Sequence, residues 1–168
     1  TGASDTSGIK LYGDCEVDNC EIWGFNYDAV GCKGGSGASA HVHHNVIYEN
    51  NKAGLGYGVH VRDSDPIIEY NYFNYNRHDV AMSEGAGSYT FRYNHIGPDA
   101  VLHNIDVHPP AGDHYYIHNN IIENVIRSWD DLVNHNVNIR DAPGTIADIY
   151  DNWFFNDHSI PSLSGPTD

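Results

Sequence analysis

The stretch Ile68-Glu69-Tyr70-Asn71-Tyr72-Phe73 decides the fold, because its pattern recurs along the chain. It reads apolar, any, polar or Tyr, Asn, any, then Ile or Phe. Further copies are Val42-His43-His44-Asn45-Val46-Ile47, Phe91-Arg92-Tyr93-Asn94-His95-Ile96, Ile117-His118-Asn119-Asn120-Ile121-Ile122 and Ile149-Tyr150-Asp151-Asn152-Trp153-Phe154. A degenerate first copy, Val17-Asp18-Asn19-Cys20-Glu21-Ile22, carries Cys20 in the Asn slot. The slots fall at 20, 45, 71, 94, 120 and 152. A fixed period of this size marks stacked repeats rather than a single hydrophobic core with irregular connections.

A short segment with period-2 alternation accompanies each copy: Ile9-Lys10-Leu11-Tyr12, Val30-Gly31-Cys32-Lys33, Val59-His60-Val61-Arg62, Val80-Ala81-Met82-Ser83, Ile105-Asp106-Val107-His108 and Val137-Asn138-Ile139-Arg140. Alternation of apolar and polar residues is the signature of a half-buried strand. Two strands per repeat, bounded by Gly, Asn, Asp and Pro, cannot bury their apolar faces alone, and stacking the repeats in register covers them. The expected architecture is therefore all-β: a right-handed parallel β-helix (solenoid) of about six coils, with no N-terminal capping helix visible. The Asn slots are expected to stack at a turn and bond from coil to coil. The helix domain is placed at residues 1–160, with a tail or linker from Pro161 to Asp168.

Composition agrees with this reading and excludes others. The 168 residues are 40% hydrophobic and 18% charged, which is globular rather than disordered. The formal charge is −15, with only 8 Lys and Arg, so nucleic acid and anionic membrane surfaces are repelled. No run of 18 apolar residues is present, so no membrane-spanning helix is expected. The acidic surface fits an extracellular or cell-surface setting. Three cysteines, Cys15, Cys20 and Cys32, match no zinc spacing. They leave one disulfide or buried free thiols as alternatives.

Against this acidic background the outward positions of the alternating strands form an unexpected pattern. Stacked in register, they give one column of Lys10, Gly31, His60, Ala81, Asp106 and Asn138. A second column reads Tyr12, Lys33, Arg62, Ser83, His108 and Arg140. Four of the eight Lys and Arg fall on these twelve positions, where proportional placement would put about 0.6. The bland explanation is that long side chains cover apolar neighbours. The functional one is a groove for an acidic polysaccharide, with Lys10, Tyr12, Lys33, Arg62 and Arg140 binding substrate carboxylates and hydroxyls.

On that face His103-Asn104-Ile105-Asp106-Val107-His108 places an acid and an imidazole side by side. Histidine is the side chain whose ordinary titration falls near neutrality, so His108 suits general base or acid work. Asp106 would orient it or hold a substrate hydroxyl, and His60, His103 or Tyr12 would supply a second proton-transfer group. His78, His103, Asp106 and His108 are also candidate metal ligands. Asp63, Asp65, Asp130 and Asp131 lie in loops with oxygen donors suited to calcium, although no EF-hand or nonapeptide calcium repeat occurs. His41, His43 and His44 read as a solvated polar face, and Tyr70, Tyr72 and Tyr93 as coil packing.

The Asn-centred repeats resemble those of the pectate-lyase-like β-helix superfamily, over nearly the whole chain. The pattern Asn76-Arg77-His78 followed by Asp106-Val107-His108 resembles archaeal β-helix surface proteins. The last segment is also similar to the Tyr-Gly-Phe-Asp-Pro-His segment of mannuronan C5-epimerases, with Asp106 and His108 in the Asp and His places and His103 where that family has Tyr. The resemblance implies uronate lyase or C5-epimerase chemistry. A second class stays open: a non-enzymatic surface, sheath, filament or adhesion module that assembles end to end through its open strand edges.

Overall fold

The computed structural model describes residues 4–35, 37–83, 85, 87–99, 101–109, 113–123, 135–140 and 146–155. Among them are eighteen strands and no helix. Each of six coils contributes three strands rather than the two read from the sequence. The first coil holds β1 (Ser7–Tyr12), β2 (Glu16–Asp18) and β3 (Glu21–Trp23), and the second β4 (Asp28–Lys33), β5 (His41–His43) and β6 (Val46–Tyr48). The third holds β7 (Tyr57–Arg62), β8 (Ile67–Glu69) and β9 (Tyr72–Asn74), and the fourth β10 (His78–Met82), β11 (Tyr89–Arg92) and β12 (His95–Ile96). The fifth holds β13 (Ile105–Val107), β14 (His114–His118) and β15 (Ile121–Glu123), and the sixth β16 (Val137–Ile139), β17 (Ile146–Tyr150) and β18 (Trp153–Phe155). Equivalent strands pair in parallel into three six-stranded sheets, which is a parallel β-helix.

The third strand exists because the Asn motif is two strands joined by a one-residue corner. The residue before each slot has a left-handed backbone: Asn19, His44, Tyr70, Tyr93, Asn119 and Asp151 all have φ between 51° and 56°. That conformation turns the chain between the second and third sheets, so both apolar residues of the motif face inward. Val17, Ile22, Val42, Ile47, Ile68, Phe73, Phe91, Ile96, Ile117 and Ile122 are buried in one continuous core. A left-handed non-glycine residue is strained, and the Asn beside it holds it there. Asn71 shows how: its Nδ2 donates to the carbonyls of Glu69 and Val42, and its Oδ1 accepts the main-chain N–H of Asn45. The same bonds repeat at Asn45, Asn94, Asn120 and Asn152, and Cys20 ends the ladder by donating its N–H to Asn45 Oδ1.

A second, shorter ladder runs through Asn50 and Asn76 at the corner between the third sheet and the first. It ends on the buried carboxyl of Asp79, which accepts from Asn76 Nδ2 at 2.9 Å and Asn104 Nδ2 at 2.9 Å. Burial pushes the Asp79 carboxyl up to about 7.

Of the loop acids with calcium-type donors, Asp65 ties three coils together, its two carboxylate oxygens accepting the main-chain N–H groups of Gly37 and Ser88. Asp130, Asp131 and the tail 161–168 lie outside the described residues. The three cysteines are free thiols, with Cys32 buried in the core.

Candidate functional site

The first sheet (β1, β4, β7, β10, β13, β16) carries the chemistry on its outer face. Its register is the one read from the sequence: Lys10, Gly31, His60, Ala81, Asp106 and Asn138 are successive Cα partners, and Tyr12, Lys33 and Arg62 are partners in the adjacent column. Ser83, His108 and Arg140 each follow the strand residues that continue this column.

A third column was not legible in the sequence. Asp28, Tyr57 and His78 are also in register, and they share the outer face although alternation would turn them inward. The reason is a local doubling of the inward positions. Ala29 and Val30 are both buried, Gly58 faces Phe73, and Asp79 and Val80 both donate their N–H groups to the Asn104 carbonyl. One carbonyl serving two consecutive N–H groups is the signature of a bulge, which re-aims the residue before it. Asp28 and His78 thereby join a face from which simple period-2 counting excludes them.

Two carboxylates anchor this face, and each is fully buried beneath cations and rings. Asp28 accepts from Lys10 Nζ at 2.8 Å and from Arg62 Nη2 at 3.2 Å. Burial alone would raise its pKa, but the nearby His60 ring and the hydrogen bond from Lys10 outweigh this and hold it below the ordinary value. Gly31 makes room for the pair, since a Cβ there would lie 3.0 Å from the Lys10 side chain and 3.1 Å from the Asp28 carboxylate. Arg62 also donates to Tyr27 Oη at 3.1 Å.

His60, expected beside His108, belongs to this first cluster. Its Nδ1 is 3.6 Å from Asp28 and its Nε2 is 2.6 Å from Ser83 Oγ. The order Ser83, His60, Asp28 has the sequence of a nucleophilic triad. The Asp–His separation exceeds a hydrogen bond, and the Ser83 N–H is spent on the Val61 carbonyl rather than facing a developing oxyanion. We read it as a buried polar network. Burial lowers the His60 pKa, so the ring is neutral near pH 7.

The second cluster is built on Asp106, three coils beyond Asp28. His108 Nε2 lies 2.7 Å from Asp106 Oδ2 and His78 Nε2 lies 3.3 Å from the same oxygen. Oδ1 accepts from Arg140 Nε at 3.1 Å and Asn138 Nδ2 at 3.0 Å. Arg140 Nη2 also contacts Oδ2 and lies 3.0 Å from His108 Nε2. Burial would raise the Asp106 pKa, yet hydrogen bonds from His108 and Arg140 and the nearby His78 hold it far below the ordinary carboxylate range. His78 is itself buried; desolvation lowers its pKa to about 3, which leaves it neutral. Its Nδ1 is 2.8 Å from the His103 carbonyl. Tyr57 bridges the two clusters, with its ring 4.3 Å from that of His60 and 5.7 Å from that of His78.

The structure thus brings together Asp106, His108, Arg140 and His78, and gathers Lys10, Arg62 and His60 around Asp28. His103 stacks its ring on His78 at 5.7 Å and accepts the His135 N–H on Nδ1, but reaches the cluster mainly through its carbonyl. Tyr12 is 67% exposed and stands apart from both carboxylates; Lys33 is exposed, with no ion-pair partner among the described residues. The paired cations differ from the open basic column expected: Lys10, Arg62 and Arg140 are each bound to a carboxylate beneath them. The histidines His41 and His43 pair with Glu69 and Glu16, as a solvated polar face would. In comparisons with protein-family models, with curated proteins and with solved structures, nothing matches this chain.

Proposed function

We propose that the outer face of the first sheet binds and processes an acidic polysaccharide, by β-elimination or C5-epimerisation of a uronate. The observation that carries this reading is the Asp106 cluster. A buried carboxylate holds an imidazole, His108, at the rim, and the half-exposed guanidinium of Arg140 touches both. A uronate needs these two functions side by side. A guanidinium edge takes the sugar carboxylate and lowers the cost of the enolate-like anion. His108, the exposed imidazole of the cluster, accepts the proton leaving C5. In elimination that proton passes to the departing C4 oxygen, and in epimerisation a proton from solvent is delivered to the opposite face of C5. Lys33 and Tyr12 extend the exposed face along the coils, roughly 24 Å over five coil spacings of about 4.8 Å. The likeness of Asp106 and His108 to the mannuronan C5-epimerase segment, and of the coils to the pectate-lyase-like superfamily, supports the same chemistry and an extracellular setting.

The test is ultraviolet absorbance of the unsaturated uronate, with alginate, pectate and other polyuronates, alongside solvent deuterium incorporation at C5. Product formation lost in Arg140→Ala supports the reading. Neither elimination nor exchange on any polyuronate rejects it.

A second reading rests on a different observation. The sixth coil exposes Ile149 and Phe154, which sit in register over Ile117 and Ile122 of the core, together with Trp153 and Phe155. An apolar coil whose strands have no further partner among the described residues supports end-to-end assembly into a filament or surface module. Concentration-dependent polymers in sedimentation, with no effect of polyuronates, favour this alternative.

A further inference from the structure

We propose that His78, Asp106 and His108 form a binding site for one divalent first-row transition metal ion of the zinc type. This goes beyond the polysaccharide reading and does not depend on it.

His78 Nδ1 lies 2.8 Å from the main-chain carbonyl of His103, and a carbonyl only accepts, so Nδ1 carries the hydrogen. That leaves Nε2 as the coordinating nitrogen, and it is aimed at Asp106 Oδ2, 3.3 Å away. His78 Nε2 is fully buried and has no hydrogen-bond partner. A buried, unpartnered ring nitrogen turned towards a carboxylate is satisfied by a cation held between the two.

The surrounding atoms suit a metal ion. The ligand atoms of His78, Asp106 and His108 all lie within 4.8 Å of one another. Two ligands at zinc distances in a tetrahedron stand about 3.3 Å apart, which is the His78–Asp106 separation. The His108–Asp106 separation of 2.7 Å has to open by about half an ångström, a movement available to a rim side chain. The outer support is already in place. His78 donates its distal N–H to a backbone carbonyl, which fixes the tautomer as second partners of metal-bound imidazoles do. Asp106 Oδ1 is held by Asn138 Nδ2, which leaves Oδ2 as the metal-facing oxygen. The Arg140 guanidinium, now forked over both Asp106 oxygens, has to swing aside as a rigid unit. Its side chain is half-exposed, and it then faces the fourth coordination position.

Two imidazoles and one carboxylate with an open position select zinc or ferrous iron over calcium or magnesium, which prefer all-oxygen shells. The open position takes a water or an anionic oxygen of a ligand, beside the Arg140 guanidinium. The other three-residue group with ligand spacing among the described residues, Glu16, His41 and His43, is more open, with Glu16 exposed and His41 turned to Glu69 outside the group. It serves as an internal control.

The experiment is titration of the chelator-stripped full chain with Zn²⁺ by calorimetry and with Co²⁺ by absorption. Wild type is expected to bind one equivalent, to show the intense d–d bands of four-coordinate cobalt, and to melt at a higher temperature with zinc. His108→Ala, at the rim and able to fold without metal, is expected to weaken binding at least about 100-fold, as is His78→Ala. His41→Ala is expected to bind like wild type. No binding by wild type, unchanged binding in His108→Ala, or loss of binding in His41→Ala alone overturns the proposal. Polyuronate activity is scored separately, so failure of the metal site and failure of the polysaccharide reading give different patterns.

Discussion

Replacing Asn71 by Ala tests what holds the corners of this helix. In the native chain Asn71 Oδ1 accepts from Asn45 N and Asn45 Nδ2, both at 3.0 Å. Its Nδ2 donates to the Val42 carbonyl at 2.9 Å, the Glu69 carbonyl at 3.0 Å and Asn94 Oδ1 at 3.0 Å. Asn71 is 2% exposed, so no water replaces these bonds without a rearrangement. Asn45 Nδ2 retains the carbonyls of Val17 and His43, and Glu69 O retains the long bond from His44 N. The Asn45 N–H loses its partner outright, and the Val42 carbonyl loses one of its two donors while keeping its place in the parallel ladder opposite Glu69. At roughly 1–3 kcal/mol for the unsatisfied N–H and about 1 kcal/mol for the lost carbonyl bond, the loss is about 3 kcal/mol. That is a large share of the roughly 5–15 kcal/mol by which domains are stable. The left-handed Tyr70, with φ 55°, loses its neighbour's support as well.

Asn152→Ala is the matched control. It deletes an equivalent ladder residue in the last coil, where the side chain is only partly buried and water reaches the freed groups; the expected cost is about 1–2 kcal/mol. Equilibrium urea denaturation followed by circular dichroism measures both. A loss under about 1 kcal/mol for Asn71→Ala, or equal losses for the two variants, would refute the argument that buried side-chain bonding fixes the corners.

Further outcomes follow from single residues. Asp79 has a folded pKa raised to about 7 from an ordinary 3.8. The folded state therefore keeps a proton that the unfolded state releases, and stability falls as pH rises from about 4 to 7, by about 4 kcal/mol. Asp79→Asn is expected to match wild type near pH 4 and exceed it at pH 8. Rotation of the Asn104 amide supplies the new partner, since Asn104 Oδ1 has none now. Comparing the two proteins across pH removes the opposite trends of His60 and His78, and a pH-independent difference would count against this assignment. Gly58→Ala would place a Cβ 2.6 Å from the Asp79 carbonyl and 3.2 Å from the Phe73 ring. We expect it to lower stability by about 1–3 kcal/mol in a thermal melt; an unchanged melting temperature would show that the coil can expand there. Burial pushes the Cys32 thiol up to about 12, so native-state alkylation mapped by mass spectrometry should modify the half-buried Cys15 and Cys20 and spare Cys32. Labelling of Cys32 at the same rate as the others would contradict its burial.

Sequence by itself determined the coil. The Asn period fixed the number of repeats, and period-2 alternation fixed which face of each first-sheet strand turns outward, so Lys10, His60, Asp106 and Asn138 could be lined up correctly by counting. These are local and repeated signals, and repetition averages away the error of any single copy. The third strand per coil was hidden because one left-handed residue at each corner separates two three-residue strands, too short for any periodicity to register. Tertiary structure alone decided the site. Residues 78 and 106 are adjacent only because coils four and five stack, and His78 faces Asp106 only because a bulge at residues 79–80 reverses the alternation before it. Asp28 escaped notice for the same reason. Whether a cation on the outer face is free or spent on a buried carboxylate depends on side chains about 20 to 35 residues apart in sequence, at Asp28 and Asp106, and no local pattern encodes that.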